Sequence, residues 1–382
     1  MNKADPNSRL DGLLLTVAVP FRLILYIARI LLFAVPRGYR VKYYVMCAAI
    51  NMAFVTLGER VIQARLPTTT ESYHNWLRSI RKRVRDPALT PLIQDEMQPL
   101  NETGGRLLWI GNRRKATRFV LFFHGGGFVA PALRGHFEWC WNAYVMAGRE
   151  AGVDVAVCFL HYTLLPEGRF PVPLQQAAAA LGELLDSGVS PSDIIIGGDS
   201  AGGNLTAQVL GHILHPHDGV RRIQLQEPLS GVFLVSPWLS NNFHTESFTT
   251  NDGRDMISRA AFRSLSYPMY GDEAAKVLEA SSRAGKYSTT GNSHMTPLDA
   301  GDAWFDGLDG IADSLYLTAG KNEIMLDHSV SLANILKKQD FKSPLRFEVA
   351  EREAHDFILL EGEENHMGDA TMRMKNWFKT VI

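Results

Sequence analysis

An apolar strand that runs directly into a small-residue turn constrains this chain more than any other feature. Asp193-Ile194-Ile195-Ile196-Gly197 is followed at once by Gly198-Asp199-Ser200-Ala201-Gly202. This places a Gly-x-Ser-x-Gly pattern where a strand feeds a sharp turn and a helix begins. Glycine at both flanks leaves room for the bend and for the helix packing behind it. Such a turn lifts one hydroxyl, that of Ser200, clear of the backbone. Asp199 is a polar neighbour within the motif, and no chemistry is assigned to it.

Further upstream, Phe119-Val120-Leu121-Phe122-Phe123 runs into His124-Gly125-Gly126-Gly127. A buried strand ending in three glycines exposes backbone N–H groups with no side chains over them. Donors of this kind suit a tetrahedral oxyanion, each adding about 3–4 kcal/mol to transition-state stabilisation. A phosphate-binding loop would end in Gly-Lys-Ser/Thr, which is absent.

The His124–Phe128 and Gly198–Asn204 runs and their spacing resemble the hormone-sensitive-lipase-like branch of the α/β-hydrolases. A third segment, His161-Tyr162-Thr163-Leu164-Leu165-Pro166-Glu167 with Phe170-Pro171, is similar to that family's Asp-Tyr-Arg-Leu-Ala-Pro-Glu stretch. His161 and Thr163 depart from it, and the departure bears on how that loop is braced. The resemblance spans roughly residues 100–382. It implies a Ser200 nucleophile and an oxyanion site made by Gly126, Gly127 and Ala201, with His124, Gly125, Gly198 and Gly202 supporting the two motifs.

In such a fold the acid and the base follow the serine in that order. Leu315-Tyr316-Leu317-Thr318-Ala319-Gly320 reads as a strand, and Glu323 follows it at the position where the similar family segment carries its catalytic acid. Asp327 is the rival and reads more simply as a helix-start acid. Leu345-Arg346-Phe347-Glu348-Val349-Ala350 is the last strand candidate, and His355 follows it in a His-x-Phe pattern. His355 is the expected general base.

Other clusters carry less. His212, His215 and His217 lack a His-Glu-x-x-His pattern, and Pro216 interrupts them, so no metal is expected. The acidic run Asp299, Asp302, Asp306, Asp309 and Asp313 lacks the ligand order of a calcium loop. Cys47, Cys140 and Cys158 have no paired spacing and read as buried thiols. A net charge of −1 gives no electrostatic case for nucleic acid. No cofactor is implied, because protein groups and water complete the chemistry.

Strand candidates at 106–111, 118–123, 153–159, 193–197, 231–236, 314–319 and 344–350 alternate with helical stretches such as Val172 to Ser187. That alternation predicts an α/β fold with a mostly parallel central sheet flanked by helices. The catalytic domain is expected over 101–382. In the resembling family, a helical cap is built from the amino terminus and from an insert, here about 237–300 with a helix near 257–270. Residues 66–100, with Trp76, Leu77, Ile80 and Val84, read as an amphipathic cap helix inside a 61–100 cap region.

Residues 1–60 form a separate apolar segment. Gly12 to Pro36 is interrupted only by Arg22 and Arg29, which lie on one helical face. A second uncharged stretch runs from Tyr43 to Gly58. Residues 1–100 carry 14 Lys and Arg against 7 Asp and Glu. A basic, apolar amino terminus suits a membrane surface contacted through residues 12–58, for instance the endoplasmic reticulum. A packed cap helix on a cytoplasmic protein is the alternative, and a signal peptide fits less well.

Together these readings predict a serine carboxylesterase acting on a small to medium lipophilic ester with a short acyl group such as acetyl. The resemblance to fungal deacetylases of this family carries the acetyl expectation. A long-chain lipase, a lyase or acyl-transfer enzyme on the same triad, and a non-catalytic small-molecule receptor remain as alternatives.

Overall fold

The computed structural model describes residues 19–100, 103–270, 276 and 292–382. Eight strands form one sheet: β1 (Met97–Pro99), β2 (Arg106–Ile110), β3 (Arg118–Phe123), β4 (Val155–His161), β5 (Ile194–Asp199), β6 (Gly231–Val235), β7 (Leu315–Gly320) and β8 (Leu345–Ala350). Their order is β1-β2-β4-β3-β5-β6-β7-β8. β2 is antiparallel to both β1 and β4, and from β4 to β8 every pairing is parallel. The central strands read as near-continuous apolar runs because helices cover both of their faces. β3, β5, β6 and β7 are buried along almost their whole length.

The α-helices of the described residues, in chain order, are α1 (Val19–Ala34), α2 (Val41–Thr56), α3 (Glu59–Arg65), α4 (Thr69–Arg83), α5 (Arg134–Cys140), α6 (Met146–Ala151), α7 (Val172–Asp186), α8 (Ala201–Leu214), α9 (Glu246–Thr250), α10 (Arg259–Ser266), α11 (Leu326–Lys338), α12 (Phe357–Glu363) and α13 (Asp369–Phe378). A π-helical turn, Trp141–Val145, joins α5 to α6. The parallel register aligns Phe123 with Gly198 and Gly320 with Ala350, so β3, β5, β7 and β8 end along one edge. Loops beyond that edge are where an open α/β sheet builds its sites.

The seven expected strands are present, Arg118–Phe123 with the expected bounds and the others with boundaries shifted by at most two residues. The 61–100 region needs correction. Its helix, α4, begins at a capping box in which Thr68 and Glu71 satisfy each other's backbone N–H groups. It buries Tyr73, Trp76, Leu77 and Ile80 on one face. The helix stops at Arg83. Pro87 and Pro91 lie in a following 3₁₀ segment, where proline cannot continue an α-helix. Met97–Pro99 is the edge strand of the main sheet.

The amino-terminal helices pack onto the catalytic edge. On α2, Tyr43 and Tyr44 meet the ring of Phe357 edge-on, and the Tyr44 hydroxyl donates to the Arg352 carbonyl. On α1, Ile30, Phe33 and Ala34 are buried. Residues 1–18 of the apolar segment lie outside the described residues, as do 271–275 and 277–291 of the insert. Among the described residues no helix is long and apolar enough to cross a membrane.

A buried carboxylate fastens α4 to α5. Glu138 accepts from Trp76 Nε1 at 3.1 Å and from Arg83 Nη2 at 2.6 and 2.7 Å. Arg83→Met strands that charge. Discounted for the partly exposed guanidinium, the change lowers the unfolding free energy by about 2 kcal/mol, read as an earlier urea midpoint with an unchanged slope.

Candidate active site

Ser200 occupies the turn between β5 and α8 at φ 52° and ψ −112°. A serine enters that backbone region only under constraint. The constraint is the close approach of α8 to β3. A side chain at Gly202 would place its Cβ 1.9 Å from the Phe123 carbonyl oxygen, and one at Gly198 would lie 2.1 Å from the same atom. Hydrogen bonds from Ser200 N to the Val235 carbonyl and from Trp238 N to the Ser200 carbonyl fix the turn on both sides.

His355, beyond β8, reaches the Ser200 hydroxyl: its Nε2 lies 2.8 Å from Oγ. Glu323, beyond β7, places Oε2 3.7 Å from His355 Nδ1. That oxygen accepts from Ser236 Oγ at 2.6 Å and from Gly320 N at 3.0 Å, which fix the glutamate in place. Among the described residues His355 Nδ1 and Glu323 Oε1 have no hydrogen-bond partner, and both groups are buried. Asp327 lies elsewhere: it is in the first turn of α11 and accepts the Ser247 N–H at 2.8 Å. Burial disfavours the charged form of each group. It lowers the His355 imidazole to about 4 and pushes the Glu323 carboxyl well above its ordinary range.

The glycine loop after β3 faces the same point. Gly126 and Gly127 adopt φ 108° and 63° and line one cavity together with Ser200 and His355. The N–H groups of Gly126, Gly127 and Ala201 donate to no protein acceptor among the described residues. His124 stacks on Tyr162 at 4.4 Å, and the Tyr162 hydroxyl donates to the His124 carbonyl. Burial drives the His124 imidazole down to about 3, so it is neutral.

Asp199, the polar neighbour in the serine motif, holds this loop. Its Oδ2 accepts the Gly125 N–H at 2.9 Å, and a Cβ at Gly125 would sit 2.1 Å from that oxygen. Asp356 comes within 4.8 Å of Asp199 from the far side of His355. Burial and the adjoining Asp199 charge raise Asp356 well above the usual range. Asp199 stays below it despite burial, because His136 and the Asp356 proton favour its charge. His136 accepts the Leu133 N–H on Nδ1, so its proton sits on Nε2, 3.4 Å from Asp199. His136, Asp199 and Asp356 are near enough to share an ion.

Sequence reasoning missed Asp255. It is fully buried, and its carboxylate accepts from His355 N at 2.9 Å, Met256 N at 2.7 Å and Ile324 N at 2.9 Å. It therefore ties the insert to the loops carrying both Glu323 and His355. Burial raises it to about 7 against the pull of these N–H groups. Three backbone partners leave no spacing signature in a sequence.

Residues singled out in the sequence find their partners elsewhere in the molecule. Gln176 braces the loop at Thr163, accepting from Thr163 N and donating to Thr163 Oγ1, both at 2.7 Å. His212 and His215 each engage a backbone carbonyl, of Arg221 and Trp304. All three cysteines are free and buried.

Residues 120–359 match the family model described as the alpha/beta hydrolase fold. The chain belongs to the α/β-hydrolase family. It is similar to an esterase from Acinetobacter venetianus, 27% identical over 65% of this chain and 70% of that protein. It is also similar to an acetyl-hydrolase from Streptomyces hygroscopicus, 28% identical over 39% of this chain and 45% of that protein. Bovine arylacetamide deacetylase is 31% identical over 39% of this chain and 37% of that protein. In fold it matches a bacterial hormone-sensitive-lipase-family esterase with a TM-score of 0.58 at 24% identity, over 87% of this chain and 98% of that one.

His355 and Asp255 predict the pH profile of this α/β-hydrolase. Only neutral His355 accepts a proton, so kcat/KM for a soluble ester falls on the acid side near pH 4, below the ordinary imidazole value. Ionised Asp255 holds all its N–H partners, which adds a shallower rise near pH 7. Asp255→Asn removes that rise and lowers kcat by about tenfold to a hundredfold, because an amide nitrogen cannot accept from the backbone of the His355 or Glu323 loop.

Proposed function

We propose that this chain is a serine carboxylesterase with Ser200 as nucleophile, His355 as general base and Glu323 as the orienting acid. The observation that carries this reading is the 2.8 Å approach of His355 Nε2 to the Ser200 hydroxyl, beneath a glycine loop with free N–H groups. His355 takes the Ser200 proton as Oγ attacks the ester carbonyl. The carbonyl oxygen becomes an oxyanion received by the N–H groups of Gly126, Gly127 and Ala201. His355 then returns the proton to the departing alkoxide, leaving an acyl-serine. Water, deprotonated by the same imidazole, attacks the acyl-serine, releasing the carboxylic acid and restoring Ser200. Glu323 supports the imidazolium that forms in each half-reaction, closing the 3.7 Å gap to Nδ1 as charge develops.

The substrate class follows from the cavity. It has a volume of about 290 Å³, at the lower end of small-molecule sites. Apart from Ser200, His355, His136 and Asp356 its walls are apolar. Ala49, Ile50 and Phe54 come from α2, Ile62 from α3, and Met256 and Ile257 from the insert. Such a space suits a short acyl group on a small lipophilic alcohol. The names of the Streptomyces and bovine relatives, an acetyl-hydrolase and a deacetylase, support acetyl as that group. The buried Ser200–His355 pair favours catalysis over a receptor role.

Hydrolysis of p-nitrophenyl esters from acetate to palmitate tests the assignment. The rate peaks at acetate to butyrate and falls toward palmitate. Ser200→Ala lowers kcat by about 10⁶-fold. Glu323→Gln keeps the bonds to Ser236 and Gly320 while removing the charge, and lowers kcat by about 10³–10⁴-fold. A peak at palmitate overturns the short-acyl assignment. Turnover that survives Ser200→Ala overturns the mechanism.

A further inference from the structure

The helix α1 has two opposed faces. On its inner side, Ile30, Phe33 and Ala34 are buried, the Tyr26 hydroxyl donates to the Asp255 carbonyl at 2.9 Å, and Arg29 donates to the Asp252 carbonyl at 2.9 Å. On its outer side, Phe21 is 60% exposed, Ile24 63%, Leu25 54%, Leu32 77% and Val35 57%. At about 100° per residue these five side chains share an arc of about 100°. Arg22 and Arg29 border that arc on one side. An apolar stripe of this width along four helical turns is more than scattered surface hydrophobics produce.

Charge identifies the occupant. Between Gly12 and Gly58 the sequence holds Arg22, Arg29, Arg37, Arg40 and Lys42 and no acidic residue; all five basic residues are exposed, and Lys42 pairs with the Glu364 carboxylate. A protein partner's apolar patch would match the stripe but not the arginines that edge and follow it. The headgroup layer of an anionic bilayer matches both. An exposed apolar stripe opposite a packed inner face suits a helix lying in the interface of a bilayer. Its neighbour in the fold, α2, lines the active-site cavity.

We infer that the outer face of α1 is a lipid-docking surface that seats this protein on an anionic membrane, with α2 and the cavity it lines held beside the lipid. The inference goes beyond the esterase reading and does not depend on it.

Co-sedimentation of the full chain with phosphatidylcholine vesicles, with and without phosphatidylserine, at low and high salt, tests it. The wild type sediments with vesicles, more strongly with phosphatidylserine and less so as salt rises. Leu25→Asp/Leu32→Asp lowers partitioning about tenfold or more. Arg22→Glu lowers binding to the anionic vesicles by about fivefold and leaves the neutral ones unchanged. Neither leucine lines the cavity, so p-nitrophenyl acetate turnover by the double variant stays at the wild-type rate and reports an intact fold. A wild type that ignores both vesicles overturns the inference, as does a double variant that binds like wild type. A vesicle-indifferent wild-type dimer that the double variant splits into monomers assigns the stripe to a second copy instead. Absent ester turnover alongside normal vesicle binding counts against the esterase reading alone.

Discussion

One buried carboxylate holds three distant pieces of chain in a working arrangement. Asp255 sits in the insert, yet its oxygens receive the N–H groups of His355 and Ile324. Those bonds fix the backbone at His355 and at Ile324, the residue after Glu323. The parallel sheet brings the β7 and β8 ends side by side, but a sheet alone leaves the loops beyond its edge free to sample many conformations. Three N–H groups converging on one carboxylate remove that freedom. Burying the charge is unfavourable, as the rise of this carboxyl to about 7 records, and the backbone donors offset it.

A second carboxyl pair does the same work on the nucleophile side. Asp199 immobilises the first glycine of the loop that faces Ser200, and Asp356, the residue after His355, lies within 4.8 Å of it. The Ser200 turn, the glycine loop and the His355 loop thus meet at these two carboxyls. Asp356 adopts φ 54°. Asparagine and aspartate tolerate that left-handed conformation better than most residues. The site is rigid because each reacting group is bound to the support of another.

Much of this was legible in the sequence. A strand ending in Gly-x-Ser-x-Gly allows few geometries, and the glycine loop and His355 follow from the same topology. Glu323 was separable from Asp327 only by its motif position, and the structure places Glu323 beside His355 while Asp327 receives the Ser247 N–H. What stayed hidden were groups whose partners are backbone atoms. Asp255 and Asp199 act on N–H groups, which every residue but proline possesses, so no residue-type pattern marks them. The strand β1 was hidden for another reason: its three residues end at a proline and are too few to show an alternation. The amino-terminal stretch was ambiguous because the same apolar residues serve burial and surface contact, and only the fold separates Ile30 and Phe33 from Phe21 and Leu32.

The bond from Tyr26 to the Asp255 carbonyl changes what the amino-terminal helix is to this molecule. Tyr26 and Asp255 are 229 residues apart in sequence. Yet only that bond, Asp255 itself and the bond on to His355 N separate α1 from the proposed base. The inner face of α1 therefore carries the mutational burden of a support for the proposed site, while its outer face answers to the proposed lipid contact alone. Substitutions on the two faces will be felt in different properties, turnover on one and vesicle binding on the other, and the boundary between them runs through Arg29.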